Sequence, residues 1–376
     1  MKEQTETISF EVSVPAARLD YFVRVGTGVL DTVGAEARRV VPNGRLVALV
    51  SDANVMPLYG EQVRSGLVRA GFDVLLHSVA PGEATKNSEA LLELVGVLMD
   101  GGLGRGDLLV ALGGGVVGDL AGFAAAVFMR GIPFIQCPTS LLAQVDASIG
   151  GKVAIDLPQG KNLMGAFHYP SCVLVDPAVL RSLPEVEVGC GLGEMLKHGL
   201  LFSREHTDAL LEAADEVYAR EPDALARLVA ASVELKAVCV ARDPRERAPD
   251  GRILLNLGHS VGHAIEAAAG FALRHGQAVG LGLRAAARIS DRTRTSAGQL
   301  EPLVTAALER LRLPTDLDVW LGGERGRMVE QALGHDKKRA ASTLAYIALA
   351  DVAQPRVLSL SPADILRLLR DRESRC

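Results

Sequence analysis

The sequence predicts an α/β fold: an N-terminal Rossmann-like parallel-sheet domain over residues 1–177, then a mainly α-helical domain over residues 178–376. Three observations carry that expectation. Short apolar runs alternate with helix-length segments in the first half, the runs end repeatedly in glycine or polar residues, and after Asp176 the chain turns to long Ala-, Leu-, Arg- and Glu-rich stretches. Apolar runs without inside–outside alternation are strands buried on both faces, as in a sheet covered by crossover helices. In order, residues 46–50 (LVALV) end in Ser51-Asp52-Ala53-Asn54, and residues 74–77 lead to Pro81-Gly82-Glu83. Residues 108–112 (LLVAL) end in three glycines, residues 134–137 at Pro138-Thr139-Ser140, and Cys172–Val175 at Asp176-Pro177. Open α/β sheets bind ligands at the carboxyl ends of their strands, so these polar ends are candidate contacts. Further on, helices are expected over residues 190–201, 207–220, 222–240, 261–269 and 278–290.

Composition narrows the class of function. The 376 residues are 48% hydrophobic and 23% charged, an ordinary globular balance that excludes a disordered or fibrous chain. A net charge of −5 and an aromatic content of 4% argue against a nucleic-acid partner, which needs cationic surface and stacking platforms. No apolar stretch reaches the roughly 18 residues that span a bilayer, and the polar N-terminus has no signal core. A cytoplasmic protein without a membrane partner is expected. Cys137, Cys172, Cys190, Cys239 and Cys376 show no CxxC spacing, so free thiols are expected rather than disulfides or a zinc ribbon.

Gly113-Gly114-Gly115-Val116-Val117-Gly118 follows a strand and opens an apolar helix, matching GxGxxG in its proper context. Such glycines admit a pyrophosphate close to the backbone, and the helix start offers N–H donors. A standard unit places an acid about 20 residues onward for the ribose. Here no acid lies between Asp119 and Asp146, and the better ribose candidate is Asp52 upstream. The wiring therefore differs from that of a standard first βα turn.

The second half holds a histidine cluster. His259 and His263 share a helix face at i, i+4 spacing and His275 follows closely, in a chain with only eight histidines. Glu194 and Lys197 sit at i, i+3 on an otherwise apolar helix, where charges need partners or a metal. Two histidines and one carboxylate suit Zn²⁺ or Co²⁺ with positions left for a chelating substrate. Lys152, Lys161, Lys197, Lys236, Arg130, Arg252 and Lys337-Lys338 lie beside Gly, Asn, Asp or apolar residues, outside ordinary amphipathic patterns. As a set they point to a small polyanion bearing phosphate or carboxylate groups.

GGGVVGDL (113–120), Arg130-Gly131, PTSLLAQVD (138–146), Gly150-Gly151-Lys152, GKNLMGAF (160–167), Glu194-x-x-Lys197 and NLGHSVGHAIE (256–266) together closely resemble the 3-dehydroquinate synthase family of sugar phosphate cyclases, in the same order from Asp52 to Lys338. That resemblance implies an NAD-binding domain followed by a helical domain carrying the metal. The implied metal ligands are Glu194, His259 and His275. Asp52, Asn54, Glu83, Lys86, Gly114, Gly115, Val116, Asp119, Thr139 and Ser140 would hold NAD. Arg130, Asp146, Lys161, Asn162 and Lys337 would meet the substrate, with Lys152, Lys197, Lys236, Arg252, Asn256 and His263 in catalytic roles. Homodimers are the family's expected assembly.

The implied reaction takes 3-deoxy-arabino-heptulosonate 7-phosphate to 3-dehydroquinate and phosphate. Transient oxidation acidifies a neighbouring C–H, phosphate is eliminated, the carbonyl is reduced back, and the opened enol closes in an aldol step. Sister cyclases such as 2-deoxy-scyllo-inosose synthase and the valiolone-type enzymes use sugar phosphates without a carboxylate. Arg252 and Asn256 instead match the keto-acid enzymes, among which aminodehydroquinate synthase remains an alternative. A metal-dependent polyol dehydrogenase shares the architecture but has no use for so many cations. One stretch departs from the family pattern: residues 243–251 form a slightly longer and more proline-rich loop.

Overall fold

A computed structural model describes residues 9–14, 21–270, 272–335 and 343–371. The chain begins with β1 (Ser9–Val14) and β2 (Tyr21–Gly26), followed by α1 (Val33–Val40), β3 (Leu46–Asp52), α2 (Glu61–Arg69) and β4 (Asp73–Val79). Next come α3 (Ser88–Asp100), β5 (Leu108–Gly113), α4 (Gly115–Val127) and β6 (Phe134–Pro138). A hairpin of β7 (Lys152–Leu157) and β8 (Gly160–Phe167) precedes β9 (Cys172–Val175). Seven strands form one sheet in the order β1-β2-β9-β6-β5-β3-β4, parallel throughout except for β1 against β2.

Both faces of the sheet are covered, which is why the strand sequences are uniformly apolar. Val47 and Leu49 of β3 pack towards α1 and α2, while Ala48 and Val50 pack towards α3 and α4. From β3 the chain steps outward to β4, then returns to the other side of β3 and builds β5 and β6. Strand order thus reverses between β3 and β5, the point at whose carboxyl ends open α/β sheets bind their ligands. Asp52 ends β3 and the glycine turn follows β5, so the two features singled out in the sequence flank that point.

Helices α5 (Glu185–Phe202), α6 (Arg204–Glu212) and α7 (Ala214–Ala219) follow, then α8 (Pro222–Arg242), α9 (His259–Ala268), α10 (His275–Arg292), α11 (Leu300–Arg310) and α12 (Gly323–His335). A hairpin of β10 (Leu344–Asp351) and β11 (Gln354–Leu360) leads to α13 (Pro362–Arg370). The single helix expected over 207–220 is instead two. The Ser203 hydroxyl accepts from the His206 N–H at 3.0 Å and starts α6 earlier, and α7 begins after Ala213.

The chain divides into two compact units: Met1–Leu183 with Ala219–Arg245, and Pro184–Tyr218 with Glu246–Cys376. These units differ from a single cut at residue 177 in two respects: the first stretch runs to Leu183, and a later segment rejoins it. Helix α8 returns to the first unit, where it packs on β1 and β2, strands the sequence reading did not identify. Cys137, Cys172, Cys190 and Cys239 are buried free thiols, and burial raises Cys172 and Cys190 to about 12; Cys376 lies outside the described residues. Among the described residues no helix is long and apolar enough to cross a membrane.

His206 is buried in the second unit, and burial, aided by nearby His198, lowers its pKa from 6.5 to about 4. The folded state therefore binds fewer protons here than the unfolded chain. The group's full stability is present above pH 6.5 and is lost as pH falls towards 4, by roughly 3 kcal/mol for a shift of this size. Denaturant unfolding at a series of pH values should show His206→Leu flattening the acid limb in that window.

Candidate functional site

In the first unit the glycines after β5 divide into two kinds. A Cβ on Gly113 would meet Val117 Cβ at 2.6 Å, and one on Gly122 would meet Val153 Cγ1 at 2.5 Å, so packing requires both glycines. Gly118 abuts the Gln136 amide, where a Cβ would lie 2.7 Å from Oε1. At Gly114 and Gly115 a Cβ would find only ordinary contacts, 3.5 Å to Ser140 Oγ and 3.4 Å to Ala147 Cβ. Their bare backbone, at the cap and first residue of α4, leaves N–H groups open to an anion. This is the fit a dinucleotide pyrophosphate requires.

Around that turn the predicted contacts are ordered. Asp52 Oδ1 accepts from the N–H groups of Asn54 (2.8 Å) and Val55 (3.0 Å), which fixes the loop after β3. The Thr139 N–H donates to the Gly113 carbonyl at 2.9 Å, and the Ser140 hydroxyl accepts from the Ala143 N–H. Lys86 is 4% exposed and lies 3.0 Å from Glu83, 3.1 Å from Asp119 and 3.7 Å from Asp156, while donating to Asn162 Oδ1 at 2.6 Å. Burial works against its ammonium, but Asp119, Glu83 and Asp156 outweigh that and hold its pKa above the ordinary lysine value. Burial raises Asp119 to about 6, with Lys86 opposing it.

Asn162, expected at the substrate, thus meets Lys86, expected at NAD. Its left-handed backbone (φ 56°) is anchored by Asp156 Oδ1, which accepts its N–H at 2.8 Å. Asp156 went unnoticed in the sequence because nothing but its place in β7 marks it. Lys152 and Lys161 sit on the strands of the β7–β8 hairpin. Both are exposed, as is Arg130, and Lys161 lies 3.9 Å from Glu83. Lys236 of α8 is buried, 2.7 Å from Asp146 Oδ1 and 2.5 Å from the Asp146 carbonyl.

The second unit gathers the histidines. The ring centroids of His259, His263 and His275 lie 5.1 to 5.6 Å apart, and the three offer ligand atoms within 4.8 Å of one another. Glu194, fully buried in α5, places Oε1 3.3 Å from His275 Nε2 and 3.6 Å from His259 Nε2, and pairs through Oε2 with Lys197. His259 Nδ1–H donates to the Leu257 carbonyl at 3.1 Å, and His275 Nδ1–H donates to Glu266 Oε2 at 3.1 Å. Both rings therefore turn Nε2 towards Glu194, the tautomer and orientation a metal needs.

Charge follows the same geometry. Burial, with Lys197 nearby, lowers His259 to about 3. Burial also opposes charge on His275, but Glu194 and Glu266 on its two nitrogens outweigh it and raise its pKa to about 9. The pocket thus favours a cation beside Glu194, and one carboxylate with imidazole nitrogens is a borderline-soft donor set that suits Zn²⁺ or Co²⁺. His263 is the exposed member of the cluster. Arg252 is 3% exposed, and the Asn256 amide donates to Glu246 at 3.4 Å within the longer loop's unit. Lys337 and Lys338 lie outside the described residues.

Glycines set the spacing of the three helices that carry Glu194, His259 and His275. A Cβ on Gly193 would fall 2.5 Å from the Gly276 carbonyl, and one on Gly276 only 2.2 Å from the Cys190 carbonyl, so α5 and α10 touch backbone to backbone beside Glu194 and His275. Gly258 (φ 79°) and Gly282 make the matching contact between α9 and α10, beside His259. The sequence carries this as a glycine beside each of Glu194, His259 and His275, with Gly282 further along α10.

Profiles of this architecture agree with the geometry. The 3-dehydroquinate synthase N-terminal profile matches residues 76–190, and the 3-dehydroquinate synthase C-terminal profile matches residues 191–339. The chain belongs to the 3-dehydroquinate synthase family. It is 46% identical over 328 residues to the 3-dehydroquinate synthase of Symbiobacterium thermophilum, covering 87% of this chain and 90% of that one. To the Caulobacter vibrioides 3-dehydroquinate synthase it is 47% identical over 330 residues, at 87% and 89% coverage. A solved 2-epi-5-epi-valiolone synthase from Streptomyces hygroscopicus, with NAD⁺ and Zn²⁺ bound, superposes with a TM-score of 0.83 at 25% identity, covering 96% of this chain and 98% of that one. A 2-deoxy-scyllo-inosose synthase complexed with carbaglucose-6-phosphate, NAD⁺ and Co²⁺ shares the fold with a TM-score of 0.86 at 24% identity, at 96% and 99% coverage. The protein is an enzyme of the 3-dehydroquinate synthase family, an NAD- and metal-dependent cyclase that eliminates phosphate.

The glycine contacts generate a prediction. Gly276→Ala forces α5 and α10 apart and should lower the unfolding free energy by about 3 kcal/mol, the upper range for overpacking, together with bound-metal content. Gly96→Ala, on α3 with open space around it, should leave metal content unchanged and raise stability by up to about 1 kcal/mol. Denaturant unfolding and metal analysis of both variants check this.

Proposed function

We propose that the residues of this enzyme divide the conversion of 3-deoxy-arabino-heptulosonate 7-phosphate to 3-dehydroquinate as follows. Asp52, Asn54, Glu83, Lys86, Gly114, Gly115, Val116, Asp119, Thr139 and Ser140 hold NAD, and Glu194, His259 and His275 hold the metal, zinc or cobalt. The observation carrying this reading is the convergence of the His259 and His275 Nε2 atoms on the buried Glu194 carboxylate. When bound, NAD supplies hydride acceptance and return, and the metal supplies Lewis-acid polarisation of the reacting hydroxyls.

The chain's own residues bind and move protons. Lys152, Lys161, Asn162 and Arg130 receive the phosphate as hydrogen-bonding cations and an amide, and Arg252 pairs with the substrate carboxylate. Lys337 completes this anion-binding set. Lys197 neutralises Glu194 and, with Asn256, orients substrate hydroxyls, while Lys236 and Asp146 act as a linked pair at the substrate. His263, exposed and within the imidazole cluster, takes and returns the proton at the reacting hydroxyl. The enzyme works as a cytoplasmic homodimer in this reading, without nucleic-acid or membrane partners, in keeping with its composition and family.

The test measures phosphate release from the heptulosonate phosphate with catalytic NAD and added Zn²⁺ or Co²⁺, following absorbance of NADH. Phosphate in many-fold excess over NAD, without NADH accumulation, is the expected outcome. Turnover of the amino analogue in its place would move the assignment to aminodehydroquinate synthase, and NADH accumulating with simple polyols would overturn it. Glu194→Ala and His275→Ala should each abolish turnover while keeping the folded circular-dichroism spectrum; near-wild-type activity after chelation and Zn²⁺ readdition would remove the residue from the ligand set.

A further inference from the structure

We infer that Glu266 is the positioning residue of the metal centre: its carboxylate holds the His275 ring so that Nε2 faces the ion. The inference rests on the ligand assignment proposed above. His275 is the first residue of α10, where neither a preceding helical turn nor deep burial locks its side chain, which is 31% exposed. Glu266, at the end of α9 and 6% exposed, is the fixed partner, with Oε2 3.1 Å from Nδ1. A carboxylate accepts only, so Glu266 keeps a proton on Nδ1 and leaves Nε2, 3.3 Å from Glu194 Oε1, as the nitrogen available to the ion. The other histidine ligand is held differently, by the neutral Leu257 carbonyl. The anionic acceptor makes His275 the more basic ligand, so Glu266 contributes charge as well as orientation to a site whose own carboxylate is already paired with Lys197.

The experiment measures Zn²⁺ and Co²⁺ dissociation constants of the full-length protein by competition with a chromophoric chelator, together with the Co²⁺ visible absorption spectrum. Glu266→Ala should weaken binding roughly 10- to 100-fold and alter the Co²⁺ bands. Glu266→Gln, which keeps an acceptor oxygen but loses the charge, should fall between Glu266→Ala and wild type. A retained cooperative thermal transition and an NAD titration of the metal-free variants that matches wild type separate positioning from misfolding. His275→Ala runs in parallel. If it binds metal as tightly as wild type, the ligand assignment fails. If it loses metal while Glu266→Ala keeps wild-type affinity and spectrum, the assignment stands and the role given to Glu266 is overturned.

Discussion

The second unit depends on a steric constraint: α5, α9 and α10 approach until their backbones touch. Ordinary helix pairs sit about 8–10 Å apart, a distance set by side chains at the contact. Gly193 with Gly276, and Gly258 with Gly282, remove those side chains where α5, α9 and α10 meet. Short side chains such as Glu and His can then reach a common point from three helices. The burial of Glu194 and the meeting of its Oε1 with the Nε2 atoms of His259 and His275 follow from that closeness.

The first unit solves a different problem with charge rather than sterics. Lys86 is almost completely buried, an arrangement tolerated because three carboxylates and an amide oxygen surround its ammonium. Those partners come from the loop before α3, from α4 and from the β7–β8 hairpin, so one cation ties together segments distant in the chain. The hairpin is thereby fixed beside the end of the sheet, and Asn162 is held with a left-handed backbone.

Much of this was legible in the sequence, and the omissions have physical reasons. Strands β3, β5, β6 and β9 are buried on both faces, so their apolar runs stood out without any partner information. β1 and β2 lie at the edge, and without them α8 had no visible reason to return to the first unit. The β7–β8 hairpin escaped because its exposed strand, GKNLMGAF, carries no clean alternation. At the site, residue types with strong chemistry were found: the histidines, Glu194, the lysines and the glycine turn. Glu266 and Asp156 were not singled out, since an acid that orients another residue differs from a surface acid only in what lies opposite it.

The glycines after β5 also bear on how such motifs are read across a family. Two of them, Gly114 and Gly115, lie where a methyl group would meet little, while Gly113 and Gly122 are walled in by valines and Gly118 by an amide. A descendant that lost its nucleotide but kept its sheet would retain the walled-in glycines and be free to drift at the other two. The string GGGVVGDL therefore preserves two histories, one of packing and one of ligand binding. Of its four glycines, only Gly114 and Gly115 have no packing reason to be glycine.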